Sequence, residues 1–123
     1  MKKIILFAQL VLFAGCYNQE RNCADFKTGT FSFEQEIDGV KHTSVFIRTE
    51  EYEIERYNGK TDTASIRWVN DCEYILQKIN PKSMADKKAV QMRILSTTKD
   101  GYTFEYGIVG DTNKQKGEVK KID

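Results

Sequence analysis

The sequence predicts an all-β fold: one small antiparallel up-and-down barrel, or a barrel-like sandwich, of about eight strands with one short helix. Two observations support this prediction. Turn-forming dipeptides recur at intervals of about ten residues, and short runs rich in β-branched and aromatic residues lie between them. The dipeptides are Asp38-Gly39, Asn58-Gly59, Asn70-Asp71, Asn80-Pro81, Asp100-Gly101 and Gly110-Asp111. No internal repeat or second domain interrupts this pattern.

Residues 64–79 (ASIRWVNDCEYILQKI) are expected to form the central hairpin. Apolar residues alternate with others up to Trp68, which is the two-residue period of a half-buried strand. Asn70-Asp71 breaks the run, and a returning strand begins at Cys72. The only tryptophan and one cysteine therefore lie on neighbouring strands.

The other runs complete the set of strands. The predicted strands are 27–37, 41–49, 52–57, 63–69, 72–79, 89–98, 102–109 and 115–122. In the third, Tyr52 and Ile54 alternate with Glu51, Glu53 and Glu55, and we expect the glutamates to form a solvated face. The last strand is weakly apolar, and its lysines are typical of an edge strand that avoids aggregation.

The one predicted helical segment is 83–89. Ser83 can cap its first turn, and Asp86 three residues later can supply the acid of a capping box. The segment follows Pro81 and is long enough for one or two turns only. We expect it to cover one end of the barrel or sandwich.

The first 15 residues have the layout of a secretory signal peptide: positive residues, an apolar run and then small residues. The run is shorter than the ~20 residues of a membrane-spanning helix. The junction Leu12-Phe13-Ala14-Gly15-Cys16 resembles the lipobox of bacterial lipoproteins, with Phe13 where that motif usually has leucine. The resemblance implies cleavage before Cys16 and acylation of that cysteine. An ordinary secreted protein with an unmodified Cys16 is the alternative.

This interpretation divides the chain into a signal peptide (1–15), a polar lipid-anchored tether (16–25) and a β-domain (26–123). It also predicts that the protein is located in the cell envelope. In enteric lipoproteins an aspartate after the acylated cysteine favours the inner membrane, and Tyr17-Asn18 carries none. We therefore expect the periplasmic side of the outer membrane.

Cys23 and Cys72 remain as one possible disulfide if Cys16 carries lipid, because export permits oxidation. Two unpaired buried thiols are the alternative. A metal site is not expected, since His42 is the sole histidine and no Cys-x-x-Cys motif occurs.

The charge and the motifs of the sequence argue against nucleic-acid binding and against catalysis. Loss of Lys2 and Lys3 with the leader changes the net charge from +1 to −1, with positive and negative residues interspersed, so no nucleic-acid partner is expected. The sequence has no Gly-x-Ser-x-Gly motif whose serine His42 could activate as a general base, and it has no phosphate-binding loop. We therefore expect no catalytic residues and no cofactor.

The aromatic residues are the only feature that could form a site. These are Phe31, Phe33, Tyr52, Trp68, Tyr74, Tyr102, Phe104 and Tyr106. An eight-stranded up-and-down barrel is similar in general shape to the lipocalins, by fold-level analogy alone. Its interior is either filled by side chains or holds one small ligand. If it holds a ligand, we expect Trp68, Tyr74, Tyr102 and Tyr106 to contact it.

The segments CADFKTGTF (23–31) and IRWVNDCEY (66–74) resemble a family of short bacterial lipoproteins of unknown function. Some of its members carry the label DNA topoisomerase IV. A type II topoisomerase needs an ATPase module, a metal-binding module and a strand-cleaving tyrosine within a large enzyme, so we regard that label as a transfer error.

Together these observations predict a lipid-anchored, non-enzymatic envelope protein with a structural or protein-interaction role. The alternative is a carrier or sensor that binds a small apolar molecule inside the barrel.

Overall fold

The computed structural model describes residues 21–123. The predicted signal peptide (1–15), the lipidation site Cys16 and the first part of the predicted tether lie outside the described residues. The described part is one closed barrel of eight antiparallel strands in sequence order. The predicted fold class is confirmed, and of the two predicted forms the barrel is the one adopted.

The strands follow the apolar runs of the sequence closely. Their bounds are β1 Gly29–Ile37, β2 Val40–Arg48, β3 Tyr52–Tyr57, β4 Lys60–Asn70, β5 Glu73–Lys78, β6 Val90–Thr97, β7 Gly101–Ile108 and β8 Gln115–Lys121. Each strand pairs with the next, and β1 also pairs with β8, where Phe33 lies opposite Val119. The prediction that the last strand is an edge is wrong, because β8 is hydrogen-bonded on both sides.

Two hairpins turn through the dipeptides that predicted them. Asp38 and Gly39 have φ of 53° and 80°, and Asn58 and Gly59 have φ of 52° and 74°. A type I′ turn requires positive φ at both central residues, which Asn, Asp and Gly tolerate best. These turns lie at the same end of the barrel, because β1–β2 and β3–β4 are both joined there.

The predicted helix over 83–89 is wrong in extent. Only Ala85–Lys87 form a single 3₁₀ turn, although the Ser83 Oγ accepts a 3.1 Å hydrogen bond from the Asp86 N–H as expected. Gln77 Nε2 and Lys82 N–H also bond to this segment. It is mostly exposed, so there is no apolar face to bury that would extend so short a helix.

The opposite end of the barrel is closed by a 3₁₀ turn over Cys23–Phe26. Cys23 and Phe26 are each 2% exposed and belong to the core. Phe26 packs edge-on against Tyr102, with ring centroids 5.3 Å apart. We call this the closed end of the barrel, and the end with the two positive-φ turns the open end.

Candidate functional site

A charged side chain, that of Arg48, lies in the barrel interior near the closed end. It is the last residue of β2 and is only 2% exposed. Its Nη1 donates a 2.7 Å hydrogen bond to the Phe26 carbonyl, and its Nη2 donates to the hydroxyls of Tyr74 (2.8 Å) and Tyr102 (2.7 Å). Arg48 thus ties the closing turn to the walls.

Aromatic rings surround the same guanidinium. Its central carbon lies 4.6 Å from the ring centroid of Phe31, 4.8 Å from Tyr74 and 5.3 Å from Phe46. These distances fit cation–π attraction, which strengthens when the partners are removed from water. Burial alone lowers the pKa of Arg48, but Tyr74, Tyr102 and Glu53 outweigh it, so the pKa is raised and the residue stays charged.

Glu53 supplies the counter-charge. Its Oε1 accepts a 3.0 Å hydrogen bond from Arg48 Nε, and its side chain is 13% exposed. Burial raises the pKa of Glu53 above its ordinary value, and Arg48 offsets only part of that rise. Removing a carboxylate from water is costly unless a positive partner compensates it. The pair therefore forms a polar layer in an interior whose other side chains are mostly aromatic or aliphatic.

Above this layer the interior holds a cavity of about 210 Å³. Its walls are mainly aromatic and aliphatic, with three polar side chains among them. The lining residues are Phe33, Ser44, Phe46, Glu53, Glu55, Tyr74, Leu76, Met92, Tyr102, Phe104, Tyr106 and Val119. A ligand that fits this volume is small, because sites for drug-sized molecules are about 300–1,000 Å³.

Two further cavities adjoin it toward the open end. One, of about 290 Å³, shares Glu53, Glu55 and Leu76 with the inner cavity. The other, of about 160 Å³, shares Glu55 and Ser44 and is bordered by His42, which is hydrogen-bonded to the Tyr57 hydroxyl at 2.7 Å. Glu55 therefore borders all three spaces.

The structure brings together three of the four predicted ligand-contacting residues. Tyr74, Tyr102 and Tyr106 line the inner cavity, whereas Trp68 does not. Trp68 packs on Tyr74 with ring centroids 4.5 Å apart, and the Lys27 ammonium lies 5.1 Å from its ring centroid. Its buried indole N–H has no hydrogen-bond partner within residues 21–123.

The expected solvated glutamate face of the third strand is wrong for Glu53, whose side chain is only 13% exposed, whereas Glu51 and Glu55 are exposed as predicted. Glu53 and Glu55 border the interior cavity, while Tyr52 is 43% exposed on the outer surface. The alternation correctly places Tyr52 and Ile54 on the opposite face from the glutamates. The expectation that apolar residues face inward, however, assigned Tyr52 and Ile54 to the interior, which is wrong. Arg48 explains the reversal, because a buried guanidinium needs a carboxylate beside it.

Sequence reasoning also missed Arg48 itself. A signal was present: Arg48 follows Phe46 by two residues and therefore shares its face of β2. The short β2–β3 connection then places Arg48 opposite Glu53 in the register.

The predicted pairing of the two downstream cysteines is confirmed. Cys23 and Cys72 form a disulfide that joins the closing turn to the β4–β5 hairpin. Within the described part of the chain, no group of His, Cys, Asp and Glu side chains could hold a metal ion.

Comparison with protein-family models, curated proteins and solved structures finds no match to this chain. In residues 21–123 no helix has both the length and the apolar character needed to cross a membrane.

Proposed function

We propose that this chain is a lipid-anchored protein of the cell envelope whose barrel binds one small, largely apolar molecule. The observation that supports the proposal is the cavity of about 210 Å³, with aromatic walls above the Arg48–Glu53 layer and adjoining spaces toward the open end. Its tyrosines combine apolar faces with polar tips, which suits a ligand that is partly apolar. The chain has no catalytic role in this proposal.

Binding can be tested by NMR on the full chain in an uncharged detergent, with ¹³C-labelled methionine methyl groups. Met92 lines the inner cavity, whereas Met84 is 75% exposed in the β5–β6 connection and serves as the reference. Single-ring aromatic compounds are titrated against the protein. We expect a saturable shift of the Met92 methyl signal and none at Met84.

A cavity-filling variant provides the control. Ser44 is buried in the cavity wall, so Ser44→Leu should occupy the space and abolish the Met92 response. Thr43→Leu adds the same side chain at the neighbouring exposed position of β2 and should retain it. The proposal fails if no compound gives a saturable response, or if the response persists in Ser44→Leu.

A protein-interaction role is the second candidate, favoured by an apolar patch on the outer face of β2 and β3. Val45, Ile47 and Tyr52 are 36%, 41% and 43% exposed, and Ile54 lies opposite Ile47 in the register. Contiguous exposed apolar side chains of this kind mark interaction surfaces. A photo-crosslinking residue at position 47 should then capture a specific envelope protein, while the same residue at position 43 should not.

A further inference from the structure

We propose that the ligand carries a positively charged nitrogen, as an ammonium or guanidinium group attached to a small apolar body, and that Glu53 and Glu55 bind this charge. The inference rests on the proposed function, because it specifies the ligand of the same cavity.

The charged side chains that line the inner cavity are both acidic, Glu53 and Glu55. Arg48 lies behind them, and four of its N–H groups donate to Glu53, Phe26, Tyr74 and Tyr102. A guanidinium has five N–H donors, so Arg48 has little capacity left to bind an anionic ligand. An incoming carboxylate would instead meet two like charges.

Neither carboxylate is fully used by the protein. Arg48 Nε donates to Oε1 of Glu53, and Oε2 of Glu53 accepts no hydrogen bond from residues 21–123. Glu55 is exposed, forms no ion pair with any described residue and borders all three adjoining cavities. One positive charge therefore faces two negative ones, and a cationic ligand would complete the balance.

One lysine beside this region, Lys78, is already engaged in ion pairs. Lys78 borders the adjoining cavity of about 290 Å³, and its Nζ lies 3.1 Å from Asp62 and 3.6 Å from Asp86. Its charge is thus neutralised by those two carboxylates. Lys88 also borders that adjoining cavity but does not line the inner cavity, where both charged side chains are acidic.

The walls favour the same ligand class. The rings of Phe33, Tyr102, Phe104 and Tyr106 line the cavity. A cation near an aromatic face gains about 0.5–2 kcal/mol, more when water is excluded. Aromatic walls beside two carboxylates, one half-buried (Glu53) and one exposed (Glu55), suit an organic cation better than a neutral or anionic compound of the same shape.

Three probes that share one phenyl ring and a short chain separate charge from shape: 2-phenylethylammonium, 2-phenylethanol and phenylacetate. Each is titrated into the full chain in uncharged detergent, with the Met92 methyl signal as the readout. We expect the ammonium compound to bind at least about tenfold more tightly than the alcohol, because one hydrogen bond to a charged group contributes about that much to the affinity. Phenylacetate should bind most weakly.

Glu55→Gln keeps the shape of the side chain and removes its charge. It should weaken binding of the ammonium compound about tenfold and leave the affinity for the alcohol unchanged. Glu50→Gln removes one carboxylate from an exposed position in the β2–β3 connection and should change neither. Equal affinity for the ammonium compound and the alcohol would overturn this inference and leave the proposed function standing. Absence of binding by all three probes would overturn both.

Discussion

Arg48 Nε donates a 3.0 Å hydrogen bond to Glu53 Oε1 across the β2–β3 ladder, inside the barrel. The two residues are direct partners in the register, so the pair is set by strand alignment. It separates the closed end, filled by Phe26 and its neighbours, from the cavity above. Stability of the closed end and the chemistry of the cavity therefore depend on the same two side chains.

Arg48→Met should lower the free energy of unfolding by about 3–5 kcal/mol, because it leaves Glu53 buried without its counter-charge. It also removes the donors to Phe26, Tyr74 and Tyr102. Urea unfolding measures the loss. Arg67→Met, at an exposed position of β4, should change stability by no more than about 0.5 kcal/mol. Similar losses in the two variants would contradict a special role for Arg48.

A double variant tests the coupling. Glu53→Gln added to Arg48→Met should recover part of the lost stability, because no uncompensated carboxylate remains. Strict additivity of the two single changes would show that the two groups do not interact.

Glu53 should also make stability depend on pH. Burial raises its pKa in the folded protein above the ordinary 4.5, so the folded state holds this proton more tightly than the unfolded state. Its contribution is present at low pH and decreases as pH rises from 4.5 through the folded pKa. The stability of wild type relative to Glu53→Gln should therefore fall over that range, as followed by urea unfolding at each pH.

Glu50→Gln, which removes one exposed carboxylate, is the matched control for that comparison. A wild-type stability that rises relative to Glu53→Gln over the same range would mean that Arg48 outweighs burial and lowers the pKa of Glu53.

Local sequence patterns were sufficient to predict where the strands lie, because turn dipeptides and two-residue alternation are properties of neighbouring residues. The Asp38-Gly39 and Asn58-Gly59 turns show this directly, since their positive φ values are those that type I′ hairpins require. Closure of β8 onto β1 is a pairing between the two ends of the domain. No local sequence pattern indicates the β1–β8 pairing, so the sequence did not distinguish a barrel from a sandwich.

The candidate site was harder to predict for a related reason. Alternation divides β3 into two faces without saying which one is inside, and hydrophobicity favoured Tyr52 and Ile54. The interior of this barrel is not purely apolar, because Arg48 on β2 brings a charge into it. Only the β2–β3 register, which places Glu53 opposite Arg48, reveals that the glutamates face inward.

Loss of the Cys23–Cys72 disulfide should destabilise the barrel by about 4 kcal/mol, the chain-entropy value for a sequence separation of 49. The closing turn would then be held by Arg48, packing and hydrogen bonds such as Lys121 Nζ to the Asp25 carbonyl (2.9 Å). Urea unfolding of Cys23→Ala/Cys72→Ala measures the effect. A reducing agent should lower wild-type stability and leave the double variant unchanged; equal sensitivity of both would contradict the assignment.

Cys16→Ser should release the protein from the membrane when the full chain is expressed in a bacterial host. The lipobox resemblance places two or more acyl chains at this position, and a second chain is what makes anchoring stable. Fractionation and intact-mass measurement check the result: wild type should sediment with membranes and carry the acyl mass, and Cys16→Ser should show neither. Cys23→Ser/Cys72→Ser removes the disulfide but keeps Cys16, so this variant should remain anchored. An unmodified Cys16 in wild-type protein, or membrane attachment that survives Cys16→Ser, would remove the lipid anchor from the proposed function and leave the cavity's binding role to stand alone.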